Sequence, residues 1–478
     1  MIKNWEFIDK INIDRSSPIP LYHQIFSELR EMIINEVLPL NTKLPPIRKA
    51  AEILKVNSVT IINAYRLLED AGLARKKQGS GTFVSLEGKQ ELFKAEIKII
   101  LDDSDYDLQK TVGEVINFAS ASPDPSLFPV KEFQEAINTV LDRDGGNAFT
   151  YQEAQGYLPL RKSISKALEK ISINVGPEGI YVISGAQQGI DIVSKALLSA
   201  GDYVFAENPT YSGALAAFES RNAKVITFDL EEDGPEMKSL EKLISLYKPK
   251  FIYTMPNFQN PTGCTWSVRK KEYFLWLCRK YDAMVVEDDY LSELNFTDLV
   301  PLPLKSYDKD NRVIYIKSFS KIFMPGLRVA YLLTPESFKK KIMNAKYVSD
   351  ISTSGLMQRV LDIYMNSEMW ERHLRRMRKE YSFRYITAVR SARRYLIGTS
   401  FKPPEGGLNL WIKLPEGVGA VLLAKKCSEL GVIIVPGTVF MPNGGEGYFR
   451  LSFASVNEIG IEKGTAIIGS ILNDWKIK

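Results

Sequence analysis

Apolar positions near the start of the chain recur at helical spacing. Leu21, Ile25, Leu29, Met32 and Ile33 form one face that ends near Pro39. After the start signal Pro45-Pro46, Ile47, Ala50, Ala51 and Leu54 form a second, shorter face. Beyond a turn at Lys55-Val56-Asn57, Ile61, Ala64, Tyr65 and Leu68 give a third, with Asn57 or Ser58 as its cap and Gly72 as its stop. Two helices joined by a tight turn predict a helix-turn-helix. Leu73 to Lys77 and Thr82-Phe83-Val84, flanking Gln78-Gly79-Ser80-Gly81, predict a hairpin with a glycine-rich tip, a basic wing.

From Ser85 to Val115 the chain is charged and weakly periodic, with Asp102-Asp103-Ser104-Asp105 at its middle, and reads as a tether. Farther on the pattern changes. Short β-rich runs at Gly179 to Ser184, Tyr203 to Ala206, Lys224 to Phe228, Phe251 to Thr254, Ala283 to Glu287 and Val313 to Ile316 alternate with helical stretches. That rhythm predicts an α/β domain with a mostly parallel sheet, whose ligands bind outside the carboxyl ends of the strands. The expected organisation is a winged helix-turn-helix unit over residues 1–84, a linker over 85–115 and a large domain over 116–478.

Composition changes this picture little. A chain of 478 residues with 45% hydrophobic and 25% charged residues is ordinary globular material, long enough for more than one core. The first ten residues lack the apolar run of a secretory signal, and no stretch approaches the roughly 20 apolar residues of a membrane span, so a cytoplasmic location is expected. Three scattered cysteines and two histidines exclude a disulfide framework and argue against a zinc site or a histidine-based triad. Charge is more telling. Between Lys43 and Lys77 eight basic residues face three acidic ones, a local formal charge of +5 that equals the net charge of the whole chain.

Particular residues reach further. Pro20-Leu21-Tyr22, Gln24-Ile25, Leu44-Pro45-Pro46 with Arg48, Val59-Thr60-Ile61, Ala64-Tyr65, Leu68-Glu69 and Gly79-Ser80-Gly81-Thr82-Phe83-Val84 resemble the GntR superfamily of winged-helix repressors. The resemblance implies that Ser58, Thr60, Asn63 and Arg66 face the major groove of double-stranded DNA. Arg48, Arg75, Lys76 and Lys77 would then lie on phosphates, and Gly79 to Gly81 in the adjacent minor groove.

A second set lies in the large domain. Ser318-Phe319-Ser320-Lys321 is followed by Pro325-Gly326-Leu327-Arg328; Asn260-Pro261-Thr262-Gly263 and Glu287-Asp288-Asp289-Tyr290 precede it, and Arg450 comes late. Singly these are ordinary turns, strand ends and surface ions. In this order they resemble the class I aminotransferase group of fold-type-I pyridoxal-phosphate enzymes, over about residues 117 to 475. The resemblance implies that Lys321 is the amine that takes the cofactor's aldehyde and the one catalytic residue. It implies that Asp288, rather than Glu287 or Asp289, pairs with the pyridine nitrogen, that Asn260 and Tyr290 hydrogen-bond the ring's 3-oxygen, and that Tyr211 stacks on the ring. Gly185, Ala186, Gln187 and Gln188 would open a helix toward the phosphate, with Ser318, Ser320 and Arg328 completing the cup. Tyr151 would reach the phosphate of a neighbouring subunit in a homodimer, and Arg450 would take a substrate or effector carboxylate.

A winged helix joined to such a domain resembles the MocR subfamily of transcriptional regulators. The fold class that follows is α/β: an N-terminal winged helix-turn-helix, then a fold-type-I aminotransferase-like domain with a small C-terminal α+β subdomain. The function implied is a pyridoxal-phosphate-dependent regulator that senses a small amino compound or the cofactor itself. A working aminotransferase with an accessory DNA-binding module is the alternative these residues permit.

Overall fold

The computed structural model describes residues 5, 7–8, 11, 13, 20–34, 38–39, 41–70, 73–77, 81–85, 115–297 and 300–476. The chain divides into two compact units, residues 1–109 and 110–478. Most of the expected linker lies outside the described residues, and so does Gly79.

In the first unit, α1 (Leu21–Ile34), α2 (Ile47–Leu54) and α3 (Ser58–Asp70) precede the strands β1 (Ala74–Lys77) and β2 (Gly81–Val84). Each helix buries its expected apolar face: Ile25, Leu29 and Ile33 meet Ala50, Ala51, Ile61, Ala64 and Leu68 in one core. Lys55 ends α2 in a left-handed conformation, and the Asn57 side chain starts α3 by accepting the Val59 N–H at 2.9 Å. β1 and β2 pair antiparallel from Ala74↔Val84 to Lys77↔Gly81 as the wing.

The second unit begins with β3 (Ile116–Asn117), which pairs in parallel with β13 (Val432–Ile433) and so fixes the start of a segment that runs into the site. Its main sheet contains β4 (Ile180–Ile183), β5 (Tyr203–Asn208), β6 (Lys224–Glu231), β7 (Gly234–Pro235), β8 (Phe251–Thr254), β9 (Met284–Asp289), β10 (Val313–Ser318) and β11 (Ala330–Leu333), in the order β4-β11-β10-β9-β8-β5-β6-β7. The six runs expected from the sequence are β4, β5, β6, β8, β9 and β10. β11 lies outside them; it is inserted antiparallel between β4 and β10, pairing Ala330 with both Ile183 and Ser318. This reversal matters to the site. An antiparallel strand starts at the edge where its parallel neighbours end, so the residues just before β11 meet those just after β4 and β10.

The smaller part of this unit holds an antiparallel sheet in the order β12 (Asn409–Lys413), β15 (Tyr448–Ser452), β14 (Val435–Pro436), beside the long helix Glu368–Tyr395 and the terminal helix Glu458–Lys476. Among the described residues, no helix is long and apolar enough to cross a membrane.

Candidate functional site

On the winged-helix unit, Arg48, Arg66, Lys76, Lys77 and Gly81 are exposed, while Ser58, Thr60, Asn63 and Arg75 are half-buried. Arg75 already has a partner, donating to Asn41 Oδ1 at 2.7 Å. Lys77 lies 5.2 Å from the centre of the Phe83 ring. Two exposed residues of α3, Val59 and Ile62, were given no role from the sequence, because their apolar character suggested nothing about DNA.

In the second unit the carboxyl ends of β4, β5, β8, β9 and β10 converge. Side chains along a strand alternate between its faces, so Asp288 points opposite to Glu287 and Asp289. Glu287 accepts the backbone N–H groups of Leu304 at 2.6 Å and Lys305 at 2.7 Å. Asp289 accepts from Tyr315 at 2.7 Å and Lys317 at 3.0 Å. Both are spoken for. Asp288 is different: the Tyr253 hydroxyl donates to its Oδ2 at 2.8 Å, and Oδ1 has no hydrogen-bond partner among the described residues although Asp288 is 4% exposed. Burial pushes its carboxyl up to about 6.

Lys321 follows β10 and lies half-buried, with Nζ 3.5 Å from the Ser122 hydroxyl. Ser318 and Ser320 are buried beside it, the Ser320 N–H donating to Ser318 Oγ at 3.1 Å. Arg328, in a left-handed conformation just before β11, donates to the Ser184 carbonyl at 3.0 Å. A Cβ at Gly185 would lie 2.3 Å from Arg328 Nη2, so only glycine leaves room for this contact. Gly185 has φ +99° and opens the helix Ala186–Leu197; Gln188 accepts the Ser184 N–H at 2.6 Å. Tyr211 is half-buried and donates to Gln187 Oε1 at 3.1 Å.

Arg450, on β15, is buried, and its Nη1 donates to Asn260 Oδ1 at 2.9 Å, while its Nη2 donates to the Ala119 carbonyl. Its guanidinium lies 4.9 Å from the Phe440 ring, and burial lowers its pKa to about 10. Tyr290 is buried and donates to the Phe258 carbonyl at 2.7 Å. The structure therefore brings Lys321, Asp288, Tyr290, Asn260, Tyr211, Gly185, Ser318, Ser320, Arg328 and Arg450 to one edge of the sheet. Tyr151 is 85% exposed.

Sequence reasoning missed Tyr253, Ser122, Ala119 and Phe440. None carries a local signal. Tyr253 looks like any strand aromatic until β8 and β9 pair and set it beside Asp288.

Residues 98–468 match the family described as Aminotransferase class I and II, and residues 21–84 match the bacterial regulatory proteins of the gntR family. The chain is 28% identical to the uncharacterised HTH-type transcriptional regulator YdfD of Bacillus subtilis, over 95% of this chain and 97% of that protein. It is 27% identical to the probable rhizopine catabolism regulatory protein MocR of Rhizobium meliloti, over 89% of this chain and 88% of that protein. The crystal structure of LysN, the α-aminoadipate aminotransferase of Thermus thermophilus, solved with N-(5'-phosphopyridoxyl)-L-leucine, superposes with a TM-score of 0.72 at 32% identity, covering 76% of this chain and 93% of that one. Relatives that share both units over nearly the full length are named as regulators, so the reading of a working aminotransferase with an accessory module is not favoured. Pyridoxal phosphate is the cofactor of this family. The chain belongs to the aminotransferase class I and II family, and its gntR-family DNA-binding domain makes it a transcriptional regulator of the MocR type.

Proposed function

We propose that this protein is a DNA-binding regulator whose large domain holds pyridoxal phosphate at Lys321 and senses a small compound carrying an amine and a carboxylate, working as a homodimer in the cytoplasm. The observation that carries the reading is the half-satisfied carboxylate of Asp288. A buried oxygen without a donor is costly, and a protonated pyridine nitrogen is a donor of the kind this oxygen lacks. The arginine beside Gly185 fits the same group, because it closes a glycine cradle at a helix N-terminus where an anion is favoured.

When bound, pyridoxal phosphate supplies an aldehyde that captures amines and a ring that withdraws electrons. The chain's own residues do the rest. Lys321 provides the amine that anchors the cofactor, and Asp288 holds a proton on the ring nitrogen. Ser318, Ser320, Arg328 and the helix start at Gly185, Ala186 and Gln187 hold the phosphate. Tyr211 stacks on the ring, and Asn260 and Tyr290 orient it. Arg450 takes the effector's carboxylate by giving up its bond to Asn260, a neutral acceptor that a carboxylate outcompetes. Tyr151, on the surface, reaches the phosphate in the second subunit of the dimer. For sensing, the effector must bind two arrangements of the protein with different affinity.

The test is the absorption spectrum of the purified protein with and without borohydride, beside Lys321→Ala, followed by operator titrations with candidate amino compounds. A visible band that is lost in the variant, and an effector that changes DNA affinity only in the parent protein, are the expected results. No band after adding pyridoxal phosphate would sink the cofactor part; a band in a protein without specific DNA binding would sink the regulator.

A further inference from the structure

The stripe of α3 that faces away from the core is partly apolar. Ile61, Ala64, Tyr65 and Leu68 are buried, and the opposite side presents Val59, 57% exposed, and Ile62, 45% exposed, with Asn63 and Arg66. Their spacing of i, i+3, i+4 and i+7 puts all four on one line. Isolated surface aliphatics are common. Here two β-branched ones stand one turn apart at the start of the helix, in a segment of formal charge +5 that also carries the exposed cations Arg48, Lys76 and Lys77.

That charge commits the face to a polyanion, and the gntR-family match makes the polyanion DNA. In a helix-turn-helix the N-terminal residues of the recognition helix approach base edges in the major groove. There the one apolar group that an unmodified base pair presents is the 5-methyl of thymine. We infer that Val59 and Ile62 read thymine methyl groups, so each operator half-site carries T·A pairs opposite the start of α3, with Asn63 and Arg66 making polar contacts along the same line. The inference rests on the DNA-binding reading and adds the chemistry by which it is specific.

The experiment selects binding sites from a random double-stranded pool with the full-length protein, then replaces each selected thymine by deoxyuridine. Uracil pairs as thymine does and lacks only the methyl. At one or two positions per half-site the parent protein should bind the uracil DNA roughly fourfold more weakly, the value of one buried methyl group. Val59→Ala or Ile62→Ala should bind thymine DNA more weakly by a similar factor and lose the uracil penalty at its own position, with non-cognate binding unchanged. A selected operator indifferent to uracil throughout, or a penalty that persists in both variants, would overturn the methyl contacts and leave DNA binding intact. Variants that change the oligomeric state but not the uracil response would assign the stripe to a second copy of the chain instead. Failure to select any sequence would remove the DNA-binding reading itself.

Discussion

Gln259 ties Glu207 to two loops at once. Its amide nitrogen donates to Glu207 Oε2 at 3.1 Å and to the Pro209 carbonyl at 2.6 Å, and its amide oxygen accepts from the Thr262 N–H at 2.9 Å and hydroxyl at 2.7 Å. The segment that leads to Tyr211 and the turn that carries Asn260 are thereby held at one spacing. Glu207 is fully buried and takes its remaining bonds from the Thr254 hydroxyl at 2.5 Å and the Met255 N–H.

Burial pushes the Glu207 carboxyl up to about 7. Between the ordinary carboxylate range and that value, the folded protein keeps a proton that the unfolded chain has released, so this group's contribution to stability falls as pH rises. Glu207→Gln mimics the protonated form. Its thermal midpoint should match the parent's near pH 4.5 and exceed it at pH 8, by an amount corresponding to at most roughly 3 kcal/mol for a shift from 4.5 to about 7. A difference that does not vary with pH would show that the carboxyl does not titrate in this range.

Tyr253→Phe should weaken pyridoxal phosphate binding at pH 7. Without the hydroxyl, Asp288 loses a bond that favours its ionised form, and its carboxyl rises further above about 6. A charge-assisted bond of about 1.5–3 kcal/mol implies a loss of tenfold or more. Titration of the cofactor by absorbance should show the loss shrinking at pH 8.5, where Asp288 ionises again. Equal affinity of variant and parent at both pH values would mean that Tyr253 only fills space.

Lys317 is buried between Asp289, at 3.0 Å, and Glu293, at 2.6 Å. Lys317→Met leaves the Asp289 carboxylate in the core without its cation and should destabilise the fold by about 3–5 kcal/mol. Adding Asp289→Asn should restore much of this, read as the denaturant midpoint. Additive losses in the double variant would contradict a shared ion pair.

On the wing, Lys77→Ala should lower the slope of log affinity against log salt by about 0.9, the share of one phosphate contact. Arg75→Ala should lower it less, because Arg75 is already engaged by Asn41. Fluorescence-anisotropy titrations across a salt series would separate the two.

The three helices, the wing and six strands of the main sheet were legible because each depends on neighbours close in sequence. Apolar residues at i, i+3 and i+4 bury a helix face wherever the helix later docks, and Asn57 caps α3 with an N–H two residues away. The ordered motif set named most of the residues at the strand ends for a related reason: strands in a parallel sheet end at one edge, so residues just after them gather there.

What stayed hidden depended on pairing across the sheet. β11 reads as an ordinary short apolar run, and only its antiparallel insertion brings Arg328 to Ser184 and Gly185. The choice among Glu287, Asp288 and Asp289 is of the same kind. All three carboxylates lie on one strand, and although the motif order favours Asp288, nothing local in the sequence shows what holds each of them. Tertiary structure separates them, because strand alternation turns Asp288 alone toward Tyr253 while the loop at Leu304 and the strand carrying Lys317 satisfy the other two. Hydrophobic periodicity thus determined which segments fold and which faces they bury. Which polar atoms remain open to a ligand was decided by side chains dozens of residues apart, since a hydrogen bond is satisfied by whatever lies within 3 Å and not by what is adjacent in the chain.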